Sequence, residues 1–171
     1  MKRTVLLVAV LLAGCSGRPR APALDNESVY QNSQEGFRFV VPQGWAQSVK
    51  ANLPPGPLKD EKLLVRYIGH SDTAQGTLEV AGVDLPESTN LAEYLAGPSH
   101  STKSWKSAGG PEPAANSSAT RFLFRGDGMM KEVVAFRRGE RVYLFYSLYA
   151  AKDAKTREAL RQAIDSIIWD K

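Results

Sequence analysis

Few side chains in this sequence are of types suited to nucleophilic catalysis or to soft-metal binding: two histidines, His70 and His100, and a single cysteine, Cys15. A histidine beside a serine can activate its hydroxyl, and both histidines have such neighbours. His70 precedes Ser71 and Asp72, and His100 lies between Ser99 and Ser101. Either arrangement is what a hydrolase would need. A structural metal site requires about four ligands at recognisable spacing, and neither histidine has them. Each sits in a turn-rich polar stretch, which suits a solvated loop imidazole better than a catalytic one. Cys15 has no second thiol, so an intramolecular disulfide and a thiolate metal site are both excluded. Asp84 and Glu87 flank Leu85-Pro86 and could form an acid–base pair if burial displaced one pKa. Acids just before a helix are equally well explained by its dipole. No Gly-rich phosphate loop and no nucleophile elbow occurs. No cofactor is called for.

The cationic residues offer contact rather than chemistry. Arg137, Arg138 and Arg141 crowd one hairpin tip, and Lys152, Lys155 and Arg157 the next connection. If the two lie on one edge of a sheet they form a basic rim able to meet lipid head groups or an acidic partner. Arg125-Gly126-Asp127 spells an adhesion tripeptide, but Asp-Gly is already the natural pair for a hairpin turn. Nucleic acid is not indicated, because the tyrosines alternate as sheet residues rather than interleave with the basic ones.

The N-terminus carries a different signal. Lys2 and Arg3 form a positive start, residues 5–12 an apolar run, and Leu12-Ala13-Gly14 a small-residue approach to Cys15. The run is far short of the roughly 20 residues of a membrane-spanning helix, so residues 1–14 are expected to be a cleaved export signal. Leu12-Ala13-Gly14-Cys15 resembles the bacterial lipobox. That resemblance implies acylation of Cys15 and attachment to the membrane through the lipidated N-terminus. Several acyl chains, at about 0.8 kcal/mol per buried CH₂, hold a protein at a bilayer. Ser16 after the cysteine resembles outer-membrane sorting, facing the periplasm, in a cell with two membranes. Loss of Lys2 and Arg3 takes 22 basic residues to 20 against 18 acidic, a charge of +2. The whole-chain pI of 9.2 therefore overstates the basic character of the mature protein. Residues 15–34, polar and carrying Pro19 and Pro22, read as a tether.

The elements that must position any site begin with residues 141–149, RVYLFYSLY. Alternation sets Val142, Leu144, Tyr146 and Leu148 on one face and Tyr143, Phe145 and Tyr149 on the other. Both faces are apolar or aromatic, so this strand belongs inside a sheet covered on both sides. Residues 119–125 and 129–137 precede it in a three-strand meander. Earlier strands fall at 36–41, 62–68 and 77–85, and Trp45 is expected to fold back on the strand it follows. Thr89 or Asn90 caps a short helix ending at Gly97-Pro98. Residues 97–118 form a long polar stretch in which Trp105 anchors an edge strand. The chain closes with an amphipathic helix from an Asp153 cap to Trp169, with Leu160, Ala163, Ile164, Ile167 and Ile168 in one stripe.

Three of these pieces together resemble one known fold family: the opening GFRFVVPQGW, the meander with its tyrosine-rich last strand, and the closing helix with Asp165-Ser166-Ile167-Ile168. It is the PsbP-like family, which takes in the photosystem subunit PsbP, a yeast Ran-release factor and envelope lipoproteins of the DcrB type. The resemblance implies an α+β fold over residues 35–171, with a central antiparallel sheet of about six strands and helices on both faces. It also implies a non-catalytic binding or assembly module with a protein partner in the cell envelope. The expected contact residues are Trp105, Arg137, Arg138 and Arg141. Two other readings compete: an envelope hydrolase using His70 or His100, and a carrier of a small apolar ligand held between helix and sheet.

Overall fold

The structure is a computed structural model that describes residues 28–49, 60–70, 75–97, 105–115 and 117–170. The export signal, Cys15, His100 and the Pro-rich connection at 52–57 lie outside these residues. The frame is an antiparallel sheet of eight strands. It contains β3 (Ala46–Val49), β4 (Lys62–His70), β5 (Gln75–Asp84), β6 (Lys106–Ser107), β7 (Glu112–Ala114), β8 (Ala119–Gly126), β9 (Met129–Arg138) and β10 (Arg141–Ala150). Their order is β3-β4-β5-β10-β9-β8-β6, with β7 also on β8. β10 is interior, pairing with β5 on one side and β9 on the other. The larger strand count comes from β3, β6 and β7, short edge strands; β7 carries Pro113, which an edge tolerates because no N–H is needed there.

Both faces of β10 are covered, as its alternation requires. Tyr143, Phe145 and Tyr149 join Leu78, Val80, Val134 and Phe136 in one buried cluster. Val142 and Leu144 join Val83, Phe122, Val133 and Ala135 in a second, on the opposite face. Helix α2 (Ala154–Asp165) roofs the first through Leu160, Ala163 and Ile164. The six-residue helix α1 (Leu91–Ala96) roofs the second through Leu95. Asn90 caps α1, its Oδ1 accepting from the Ala92 N–H at 3.0 Å. Asp153 caps α2. Asp127 and Gly128 both have positive φ, 40° and 76°, as the tight turn between β8 and β9 demands.

Two local expectations give way. Folding starts upstream of Gly36: β1 (Val29–Asn32), inside the stretch read as tether, pairs with β2 (Phe37–Val40). The last helix ends at Asp165, because Ser166 turns its hydroxyl onto the Ala163 carbonyl at 2.6 Å and accepts from the Val40 N–H at 2.8 Å. Ile168 and Trp169 then form β11, pairing with β2, and Ile168 is 47% exposed rather than in the helical stripe. Trp45 packs over the facing pair Gly69 and Gly76 of β4 and β5 and against the cluster that holds Phe37 and Phe39 of β2. A Cβ at Gly69 would overlap the indole, and one at Gly76 would lie 2.9 Å from it. The β1-β2-β11 sheet lies on the same side as α2, with Phe37 and Phe39 in the first cluster.

Candidate functional site

The three arginines expected at a contact surface are engaged inside the chain. Arg137 donates to the carbonyls of Pro86 and Thr89, each at 3.0 Å, and so straps the connection that leads into α1. Arg138 lies over the Trp169 ring, 4.8 Å from its centroid. Arg141 donates to Glu35 at 2.8 Å and Asp84 at 3.2 Å, and runs so close over Gly82 that a Cβ there would meet its guanidinium. The tip they share and the connection holding Lys152, Lys155 and Arg157 lie at opposite ends of β10, so they do not make one basic rim. Asp84 is thus an ion-pair partner, and Glu87 is exposed. His70 is exposed at the end of β4, opposite Gln75, and makes no hydrogen bond among the described residues. Among the described residues no three His, Cys, Asp or Glu side chains gather as metal ligands would.

Two polar clusters escaped the sequence reading, one on each face. Under α2, Glu132 is 1% exposed. Its carboxylate meets Arg121 at 2.7 Å and Arg161 at 3.0 Å, and accepts from the Tyr149 hydroxyl at 3.2 Å. Burial and the Glu132 charge push the Tyr149 hydroxyl up to about 12, so it remains a donor. The signal was present: a Glu two residues before Val134 on a strand falls on the same face as the core. Which cations meet it depends on strand register and on where α2 docks, and those are not local properties. Through Arg161 the cluster holds α2 to the sheet.

The second cluster lies on the α1 face, where the helix stops short. Tyr94 of α1 and Tyr146 of β10 both donate to Glu61, at 2.9 Å and 3.0 Å. Burial raises the Glu61 pKa, and burial with the Glu61 charge raises both tyrosines, so the hydroxyls keep their protons. Lys131 is one residue along β9 from Glu132 and points to this other face. Its Nζ is 4.9 Å from the centre of the Phe124 ring and 5.4 Å from that of Trp105. Burial lowers its pKa, against the pull of Glu61. Trp105, just before β6, thus brings an indole onto an ammonium group at the sheet edge. Trp105, Phe124, Tyr146 and Leu148 are all half-buried. This surface of aromatic rings, one ammonium and one carboxylate suits recognition: it has donors, an acceptor and flat apolar area, and no nucleophile with its base.

No family model matches the sequence, and no curated protein does. Solved structures do match. The solution structure of cyanobacterial PsbP (CyanoP) from Synechocystis superposes with a TM-score of 0.58 at 12% identity, covering 91% of this chain and 99% of that one. The Ran-binding protein Mog1p of Saccharomyces cerevisiae does so with a TM-score of 0.55 at 12% identity, covering 84% of this chain and 95% of that one. At such identity the likeness is one of fold. This protein, an antiparallel sheet with a helix on each face, has the α+β fold of the PsbP and Mog1 structures.

Proposed function

We propose that the protein is a lipid-anchored bacterial envelope protein whose folded domain is a non-catalytic module for binding a protein partner, with Trp105 at the contact. The observation that carries the binding reading is the α1 face. A six-residue helix covers the half around Leu144. Beside it Trp105, Phe124 and Tyr146 stay half-buried, grouped with Lys131 and Glu61. Tryptophan and tyrosine presented with fixed polar groups are the residue types that dominate protein interfaces. Mog1p, a Ran-binding protein by name, offers an analogy for a fold of this kind serving a protein partner. The hydrolase reading rests on His70, which is exposed, and on Ser71, Asp72 and His100, which lie outside the described residues. An apolar-ligand carrier would need room between α2 and the sheet. That layer is filled by rings such as Phe37, Phe136 and Phe145, with Phe136 and Phe145 centroids 5.4 Å apart.

Anchoring and binding are tested separately. A Cys15→Ser chain is expected in the soluble fraction of cells, whereas the parent sediments with membranes; continued membrane association of the variant would refute the anchor. A photo-crosslinking residue at position 105 is expected to give one discrete protein adduct in intact cells, and the same residue at Asp165, on the far face, none. Equal adducts from both positions would remove the α1 face as the contact.

A further inference from the structure

The end of the sheet that carries the start of α2 is crowded with cations. Arg125 and Lys106 are directly opposite each other on β8 and β6, both exposed, a like-charge cross-strand pair that costs stability when nothing anionic meets it. The β8–β9 turn beside them is bonded to the next connection, the Ala151 N–H donating to the Gly128 carbonyl at 2.8 Å. That connection carries Lys152, and the first turn of α2 carries Lys155 and Arg157, all exposed. Neighbouring strands are about 4.8 Å apart, so β6, β8, β9 and β10 set Lys106, Arg125 and Lys152 within roughly 15 Å across the sheet, and Lys155 and Arg157 follow on the first turn of α2. Against them stand exposed Asp127 and Glu158, the latter bonded to Gln162, and Asp153, whose carboxylate accepts from the Thr156 N–H and hydroxyl.

The chain enters the domain from this same end. Phe37, at the start of β2, packs on Tyr143 and Trp169, near the opposite end where Arg141 begins β10. Trp45, a few residues after β2, sits against Gly76 and near Thr156 of α2, at the cationic end. β2 therefore runs toward the cations, and antiparallel β1 runs away from them. Ser28, which accepts from the Val41 N–H at 2.7 Å, lies at the β1 terminus that faces the cationic end.

We propose that this end of the domain is a second membrane contact, in which Lys106, Arg125, Lys152, Lys155 and Arg157 rest on anionic phospholipid head groups. It builds on the lipid-anchor reading: acyl chains joined through Ser28 bring this end, rather than the arginine-rich tip, toward the bilayer. An anchor supplemented by a basic patch holds more firmly than either alone. A basic residue near an anionic surface contributes about 1 kcal/mol, close to a fivefold change in partition.

The test uses the mature chain from residue 15 carrying Cys15→Ser, so that neither the export signal nor an acyl chain holds it, in co-sedimentation with vesicles of phosphatidylglycerol and phosphatidylcholine or of phosphatidylcholine alone. Binding to the anionic vesicles is expected to exceed binding to the neutral ones by about tenfold or more and to fall in high salt. Lys106→Glu with Arg125→Glu is expected to lower it by about tenfold or more, and Arg38→Glu, on an exposed site of β2, by less than about twofold. Equal loss in the two variants, or no preference for anionic vesicles, overturns the contact. Failure of the anchor is read elsewhere, in the cell fractionation of the Cys15→Ser chain, so either idea can fail alone.

Discussion

Replacing Glu132 with alanine is expected to destabilise the domain by about 3–5 kcal/mol, the range for breaking a buried ion pair from one side. The size follows from what is left behind. Arg121, with a side chain 13% exposed, and Arg161, 31% exposed, would keep their charges with no carboxylate between them. The Tyr149 hydroxyl would lose its acceptor in a layer sealed by α2. Glu132→Gln restores shape and an acceptor but not charge, so it is expected to cost less than alanine and still to be clearly destabilising. Urea unfolding of the purified variants checks both, and α2 should lose amide protection before the meander does. An alanine variant within about 1 kcal/mol of the parent would mean that Arg121 and Arg161 reach water more easily than their burial indicates.

Phe145→Ala is expected to cost a similar amount, about 3–5 kcal/mol, by a different route. Phe145 is fully buried and packs edge-on against Phe37, Phe39 and Phe136, with centroids 6.0, 5.8 and 5.4 Å away. These three rings come from two separate sheets, so the void would open where the sheets meet, and rigid aromatic neighbours collapse into it poorly. For a domain of this size the loss lowers Tm by on the order of 10 °C. Phe145→Leu keeps most of the volume and is expected to recover more than half of the loss.

What could be read from the residues alone was whatever depends on periodicity. Two-faced burial of β10, the meander with its Asp-Gly turn and the capped α1 all follow from spacing within one segment, and the structure has them. The closing helix was legible as far as Asp165. Ile167 and Ile168 extend the apolar stripe on paper, but Ser166 meets a partner from β2, and that partner is invisible locally. β1 was missed because Val29, Tyr30, Gln31 and Asn32 have no clear alternation; they become a strand by pairing with Phe37–Val40. The Glu61 cluster had no sequence signal, since it unites the start of β4, α1 and the middle of β10. The arginines at 137, 138 and 141 were read as a candidate contact surface, and composition could not show that Pro86, Thr89, Trp169 and Glu35 lie beside them.

The bond between Ser166 and Val40 joins residues 126 apart in sequence, and β11 adds Ile168 and Trp169 to the same strand. Closing β2 on both edges thus requires residues far downstream of it, and contacts of such span are entropically late in folding. An emerging chain would keep Phe37 and Phe39 without their final neighbours until Ser166, Ile168 and Trp169 arrive.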